Sequence, residues 1–209
     1  TNLLAEIENA LTHRQTGQLR AAKAQVLAAT GSPAATAEWI DQCYAAGERS
    51  PEFMRAAAVS AMRRQDYHLA VKFVEEALSR QPQDADILRL KGDLLLIKNM
   101  HEVRGVMIPP IMPDHKQRRE LREAANNLTA SIARLTAPGQ QRTHEVSETR
   151  TQRAVVLMAL GQVEEAHADF NQSIQDNPGD CVARFNRTVL ELRLGRDEHI
   201  DGDCLYLIE

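Results

Sequence analysis

Aromatic residues are scarce in this sequence: Phe, Trp and Tyr together make up 4% of its 209 residues. The β-branched residues that favour sheets are also infrequent, whereas Ala, Leu, Arg, Glu and Gln dominate the composition. The abundant residues are strong helix formers, and the scarce ones are those enriched in strands. The composition therefore predicts an all-α protein.

Further shortages exclude several classes of function and location. The sequence has no run of about 18 apolar residues, so it predicts no membrane span. Its net charge of −4 argues against nucleic acid as the partner, because proteins that bind phosphate backbones usually carry a basic excess. The three cysteines are far apart and form no Cys-x-x-Cys pair. This pattern favours a reducing environment, and we expect a cytoplasmic location.

The two ends of the sequence indicate a piece of a longer chain. It begins with Thr1 rather than Met, and its first residues lack the basic start and apolar core of a signal peptide. We therefore expect an excised segment, from which a targeting signal could have been removed. The apolar ending CLYLIE is not the polar cap that a helical repeat array needs. We expect the array to be truncated there.

Motifs that carry catalysis are also missing. The sequence has no Gly-rich phosphate loop, no Gly-x-Ser-x-Gly and no His-Glu-x-x-His, which are typical of nucleotide-binding proteins, hydrolases and zinc proteases. No two of its seven histidines are three or four residues apart, the spacing that lets two ligands on one helix share a metal. The sequence predicts no enzyme: no catalytic residue, no metal site and no cofactor.

A helix-turn-helix unit is evident between residues 51 and 84. A first helical stretch reaches a turn near Gln65, and a second stretch has Ala70, Val74 and Ala77 on one face before Pro82 stops it. Small alanines let two neighbouring helices approach closely, and a bulkier residue fills the gap between them. The segment therefore has the features of a paired-helix repeat.

The same pattern recurs with a constant period. Gly161 precedes Pro178 by 17 residues, as Gln65 precedes Pro82 by 17, and Gly195 follows Gly161 by 34. Unit starts at positions 17, 51 and 85, and again at 147 and 181, are 34 residues apart. A fixed period of this length is typical of stacked helical repeats. The alternative is a generic helical bundle in which the spacing is accidental.

These residues resemble the tetratricopeptide repeat (TPR) family, whose first helix carries a small residue that meets an alanine of the second. The small positions here are Ala24, Ala58, Gly92, Ala154 and Thr188. The resemblance implies a right-handed α-solenoid of stacked helix-turn-helix repeats with about 10–11 helices. After Gly195 the expected second helix is poorly supported, because Gly202 interrupts it.

The repeat phase divides the chain into four segments. Residues 1–16 form a capping helix or half-repeat, and residues 17–99 are TPR-like repeats. Residues 100–119 are a Pro-containing insertion in a repeat turn, and residues 120–209 are further repeats.

The insertion reads MHEVRGVMIPPIMPDHKQRR, and its prolines favour extended backbone over helix. Asp114 is placed to cap a helix that runs to about Leu135. Four apolar residues flank the prolines: Met107, Ile108, Ile111 and Met112. Three interpretations stay open: a local cover over the repeats, a docking segment for a partner, including a second copy of the chain, or a flexible, disordered segment.

In the TPR family the first helix of each repeat lines a groove that binds a peptide. The positions that the resemblance assigns to this groove are Arg55, Val59, Met62, Arg89, Asp93, Leu96, Thr151, Val155, Met158, Phe185 and Val189. They form a largely apolar strip, and the alternative is that the insertion or a neighbouring domain covers part of it.

The resemblance thus implies a scaffold or adaptor that binds a protein or peptide segment. The alternative is a regulatory or substrate-recruiting TPR domain of a larger enzyme whose catalytic domain lies outside this sequence.

Overall fold

A computed structural model describes residues 3–13, 16–30, 33–103, 106–139 and 142–208, and for residues 102, 103, 106–108 and 208 it describes the backbone alone. These ranges contain eleven helices and two short strands: α1 (Leu3–His13), α2 (Gly17–Ala29), α3 (Pro33–Ala45), α4 (Pro51–Arg63), α5 (Tyr67–Arg80), α6 (Ala85–Lys98), β1 (His101–Val103), β2 (Val106–Ile108), α7 (His115–Leu135), α8 (Thr143–Leu160), α9 (Val163–Asp176), α10 (Cys181–Leu194) and α11 (Ile200–Ile208). The predicted all-α helical repeat fold is confirmed. None of the described helices combines the length and apolar character needed to cross a membrane.

The chain divides into two compact units, Thr1–Leu90 and Lys91–Glu209. In the first unit α1 packs on α2, α2 packs on α3 and α4, and α4 packs on α5. In the second unit α7 packs on α8, α8 packs on α9, and α10 packs on both α9 and α11. Apart from the packing of α2 on α4, the most extensive of these contacts join helices that are neighbours in the sequence, as expected for a helical repeat.

Three turns between paired helices have the same backbone geometry. Gln65, Gly161 and Gly195 are all left-handed, with φ of 61°, 79° and 66°. In each turn the next residue donates its N–H to a carbonyl five positions back, at 2.9–3.0 Å. This pattern is a common way for a helix to end, and glycine adopts it without strain. The predicted turn positions are thus confirmed, and the sequence tolerates a glutamine at one of them.

Small residues bring the paired helices together at the predicted positions. Ala70 and Ala166 are completely buried, and so are the larger Val74 and Phe170 four residues later. At Gly92 a Cβ atom would lie only 2.5 Å from Cγ of Leu128 on α7. The small residue therefore sets how closely α6 approaches α7.

The insertion adds a feature that the composition did not indicate. β1 and β2 pair antiparallel, with His101 opposite Ile108. α7 begins at His115, because the Asp114 side chain accepts from the Gln117 backbone N–H while the Gln117 side-chain oxygen accepts from the Asp114 backbone N–H. The non-helical part of the insertion therefore ends sooner than residue 119.

The final helix also forms, although the sequence pattern provides little support for a helix there. α11 spans nine residues and includes Gly202. Its Asp203 is buried and accepts from Arg187 Nε at 2.8 Å and from Arg184 Nη1 at 2.9 Å, both on α10. These charge-assisted hydrogen bonds offset the low helix propensity of Gly202.

Candidate functional site

In the first unit the predicted groove positions lie at partly exposed sites. Val59, Met62 and Arg89 are half-buried. The guanidinium Nη1 of Arg55 lies 3.3 Å from Oδ2 of Asp86, and the Arg55 side chain is 37% exposed. Arg55 is therefore held in place on one side and remains partly accessible to a ligand.

In the second unit most of the predicted positions on α6 and α8 are buried. Asp93 is half-buried, whereas Leu96, Thr151, Val155 and Met158 are at most 8% exposed. The three apolar residues of this set belong to a buried cluster that also includes residues of α7 and α9. Their packing within the unit leaves little side-chain surface for a partner.

Thr151 has a structural contact that the repeat pattern did not indicate. Its hydroxyl lies 2.7 Å from Oγ of Ser173 and donates to Oδ2 of Asp180 at 2.8 Å. The second oxygen of Asp180 accepts from the backbone N–H of Ala183 and so caps the start of α10. Thr151 thereby fixes the beginning of α10 against α8 and α9.

The remaining predicted positions belong to an exposed apolar stripe on α10, which consists of Val182, Phe185, Val189 and Leu192. Three of these side chains are strongly exposed, Val182 by 60%, Phe185 by 55% and Leu192 by 63%, and Val189 is half-buried. At about 100° per residue the four positions lie within an arc of about 80° on one helix face. In the second unit, this α10 stripe contains the most exposed of the predicted groove positions.

A cavity of about 460 Å³ lies beside the first residue of the stripe. It lies between α8 and the turn before α10, and its lining includes Glu148, Gln152, Asp180 and Val182. Oε1 of Gln152 is buried and accepts no hydrogen bond from any described residue. A buried polar atom without a partner is costly, so this amide favours a ligand that donates a hydrogen bond.

The apolar residues of the insertion are described only in part. The side chains of Met107 and Ile108 lie outside the described part of the chain. Ile111 and Met112 are 68% and 87% exposed, so these two side chains do not cover the helices. A docking role for them remains a prediction.

Sequence reasoning missed a cluster formed by His167 of α9, Glu191 of α10 and His199, which lies just before α11. Oε1 of Glu191 is 2.9 Å from Nε2 of His167 and 2.6 Å from Nδ1 of His199. The Glu191 side chain is completely buried. Burial raises the pKa of Glu191, but hydrogen bonds from His167 and His199 outweigh it and hold its pKa below the ordinary value. The three residues are 24 and 8 positions apart, so no sequence motif indicates the cluster.

Comparisons with known proteins identify the fold. No family model and no curated protein sequence matches this chain. Among solved structures, it is similar to MamA residues 41-end from Desulfovibrio magneticus RS-1, with a TM-score of 0.68 and 14% identity over 92% of this chain and 93% of that one.

Two further structures have the same arrangement. YrrB, described as a TPR protein with an unusual peptide-binding site, has a TM-score of 0.65 and 15% identity over 97% of this chain and 90% of its own. PilW, described as a widely conserved type IV pilus biogenesis factor, has a TM-score of 0.72 and 13% identity over 93% of this chain and 77% of its own. At these identities the likeness establishes the fold. The chain therefore has the tetratricopeptide-repeat fold that its sequence pattern resembles.

Proposed function

We propose that this chain is a protein-interaction module whose second unit binds an apolar peptide segment along the α10 stripe. The single observation that carries the proposal is the exposure of Val182, Phe185 and Leu192 on one face of α10. Contiguous apolar surface of this kind is typical of interaction sites rather than of freely solvated helices.

The spacing of the stripe specifies the ligand. Anchors three, four and three residues apart fit a helical segment with apolar residues on one face, which packs side by side with α10. Phe185 supplies the largest apolar contact, and aromatic residues often dominate the binding energy of such surfaces.

The cavity beside Val182 supplies polar contacts at one end of the stripe. Glu148, Gln152 and Asp180 line it and carry carboxylate or amide oxygens, so the ligand residue that enters it carries an N–H or an ammonium group. The description of YrrB, which has the same fold, as a protein with a peptide-binding site supports this class of ligand.

Selection from a displayed peptide library tests the proposal. We expect the purified chain to select peptides with apolar residues at helical spacing. The double substitution Phe185→Glu and Leu192→Glu places two charges on the stripe. We expect it to lower the affinity for these peptides at least about 10-fold, equivalent to 1.4 kcal/mol. Fluorescence anisotropy with labelled peptides measures the change.

Leu3→Glu is the matched control, because Leu3 is a similarly exposed apolar residue, 57% accessible, on α1 of the other unit. Its affinity for the selected peptides should equal that of the wild type. Peptides that bind the double variant as tightly as the wild type would show that the α10 stripe is not the binding surface.

A further inference from the structure

Two imidazoles converge on one buried carboxylate in the second unit. The ligand atoms of His167, Glu191 and His199 all lie within 4.8 Å of one another. His167 is mostly buried, whereas the side chain of His199 is 36% exposed. The cluster joins α9, α10 and the segment that leads into α11.

The carboxylate of Glu191 requires a positive charge. It is fully buried, and among the described residues its second oxygen accepts from the backbone N–H of His199, at 3.0 Å. Nearby guanidinium groups are bonded to other acids: Arg187 to Asp203, and Arg196 to Glu164. A buried carboxylate is costly unless a cation pairs with it.

The chemistry of the three ligand atoms suits a particular class of cation. Two imidazole nitrogens and one carboxylate oxygen are donors that Zn²⁺ and similar divalent transition metals prefer, whereas Mg²⁺ and Ca²⁺ prefer oxygen alone. We propose that His167, Glu191 and His199 bind a divalent transition metal of the Zn²⁺ class.

Metal binding requires only a small change in the distances between the three ligand atoms. Zn²⁺ holds these ligands at roughly 2.0–2.2 Å, so tetrahedral neighbours lie about 3.3 Å apart. The two nitrogens now lie 2.9 Å and 2.6 Å from Oε1 of Glu191. His199 precedes α11 in a non-helical segment and is partly exposed, so it provides the movement, and water from the solvent supplies the fourth ligand.

The second ring nitrogen of His167 faces the side chain of Asn171. A metal on Nε2 places the ring proton on Nδ1, and metal-bound histidines usually donate that proton to a neighbour. In the structure Asn171 Nδ2 faces Nδ1 of His167 at 3.3 Å, while Asn171 Oδ1 accepts from Arg187 Nη1 at 2.8 Å. A metal on Nε2 therefore requires the Asn171 amide nitrogen to move away from Nδ1, because two N–H donors cannot face each other.

Titration with Zn²⁺ tests the site in the chain without a histidine tag. A Cys181→Ser background removes an exposed thiol that binds zinc by itself. Calorimetry should show one bound Zn²⁺, and Zn²⁺ but not Mg²⁺ should raise the thermal midpoint, because a ligand that binds only the folded state stabilises it. Co²⁺ should give visible absorption without the charge-transfer band of a thiolate.

Three variants assign the ligands. His167→Ala and His199→Ala should each weaken Zn²⁺ binding at least about 10-fold, since the loss of a direct ligand costs no less than the loss of an outer-shell partner. His68→Ala, an exposed histidine of α5 in the first unit, should bind as the parent does. Circular dichroism checks that each variant is folded. His199 is less buried than His167, so its substitution should disturb the fold less.

Two results would overturn the proposal. One is saturable Zn²⁺ binding that survives both the His167 and the His199 substitution. The other is the absence of saturable binding in the parent chain, which would mean that the hydrogen bonds from the two imidazoles, rather than a metal, satisfy Glu191.

Discussion

At the scale of single residues, the alanines between paired helices set how closely the helices approach. Ala166 on α9 and Ala70 on α5 are both completely buried. Ala166→Leu and Ala70→Leu add three carbon atoms where no space is left, and overpacking of this kind should lower the free energy of unfolding by roughly 1–3 kcal/mol. Urea or thermal denaturation measures the loss.

Ala168→Leu is the control for this prediction, because Ala168 is on the same helix and is exposed. An exposed Ala-to-Leu change on a helix should alter stability by no more than about 0.5 kcal/mol. If all three variants unfolded at the wild-type midpoint, Ala70 and Ala166 would not lie between closely packed helices.

At the scale of helices, a partly buried ion pair joins α6 to α7 across the insertion. Lys98 Nζ donates to Oε1 of Glu120 at 2.9 Å, and Asn99 Nδ2 donates to Oε2 at 3.0 Å. The Glu120 side chain is only 12% exposed. The pair brings together the end of α6 and the second turn of α7, and so closes the loop that contains the hairpin.

The same contacts predict how stability depends on pH. Burial raises the pKa of Glu120, but the hydrogen bonds from Lys98 and Asn99 outweigh it and hold its pKa below the ordinary value. The stability that Glu120 contributes is therefore present above the ordinary carboxyl pKa of about 4.3 and is lost as pH falls through the lower folded-state pKa. Glu120→Gln should be less stable at pH 7 by roughly 1–3 kcal/mol, and the difference should shrink towards pH 3.

Unfolding in urea at a series of pH values measures this difference. Glu165→Gln on α9 is the control, because Glu165 is exposed and its substitution should have little effect at any pH. A deficit of Glu120→Gln that stayed constant from pH 7 to pH 3 would mean that the charge of Glu120 does not stabilise the fold.

The insertion itself makes a different prediction. Pro110 and Pro113 are buried, and Arg118 Nε donates to the carbonyl of Pro113 at 2.9 Å. Ile111 and Met112 project between them into solvent. Ile111→Ser combined with Met112→Ser should therefore change the free energy of unfolding by no more than about 0.5 kcal/mol, as measured by thermal denaturation.

Leu121→Ala is the contrasting variant for the insertion, because Leu121 near the start of α7 is completely buried and its truncation should cost about 2–5 kcal/mol. A large loss of stability in the double serine variant would mean that Ile111 and Met112 pack on this chain after all.

We further propose that these two side chains contact a partner or a second copy, which sedimentation of the double variant would test.

At the scale of the whole molecule, the fold is built from contacts between helices that are neighbours in the sequence. Such contacts depend on spacing, turn residues and small side chains, all of which are visible in a single sequence. The 34-residue phase, the left-handed turns at Gly161 and Gly195 and the cap at Asp114 could therefore be predicted.

What the sequence could not predict depends on how each helix is rotated against its neighbours. Val155 and Met158 fit the repeat pattern of a binding groove, yet they lie in the buried cluster that also contains Leu121 and Leu128 of α7. The same pattern includes Phe185, which lies on an exposed face of α10. Period and residue type alone do not distinguish these cases, because all three residues are apolar and all lie on the first helix of a repeat, at positions that the family pattern assigns to the groove.

The sequence by itself determined the class of fold, the order of the helices and the position of the turns, because these depend on interactions within a few tens of residues. Only the tertiary structure decided which apolar positions stay exposed on α10, and only it brought His167, Glu191 and His199 together. The physical reason is the same in both cases. Burial and convergence of side chains depend on the distance and angle at which packed helices cross, which no local spacing in the sequence specifies.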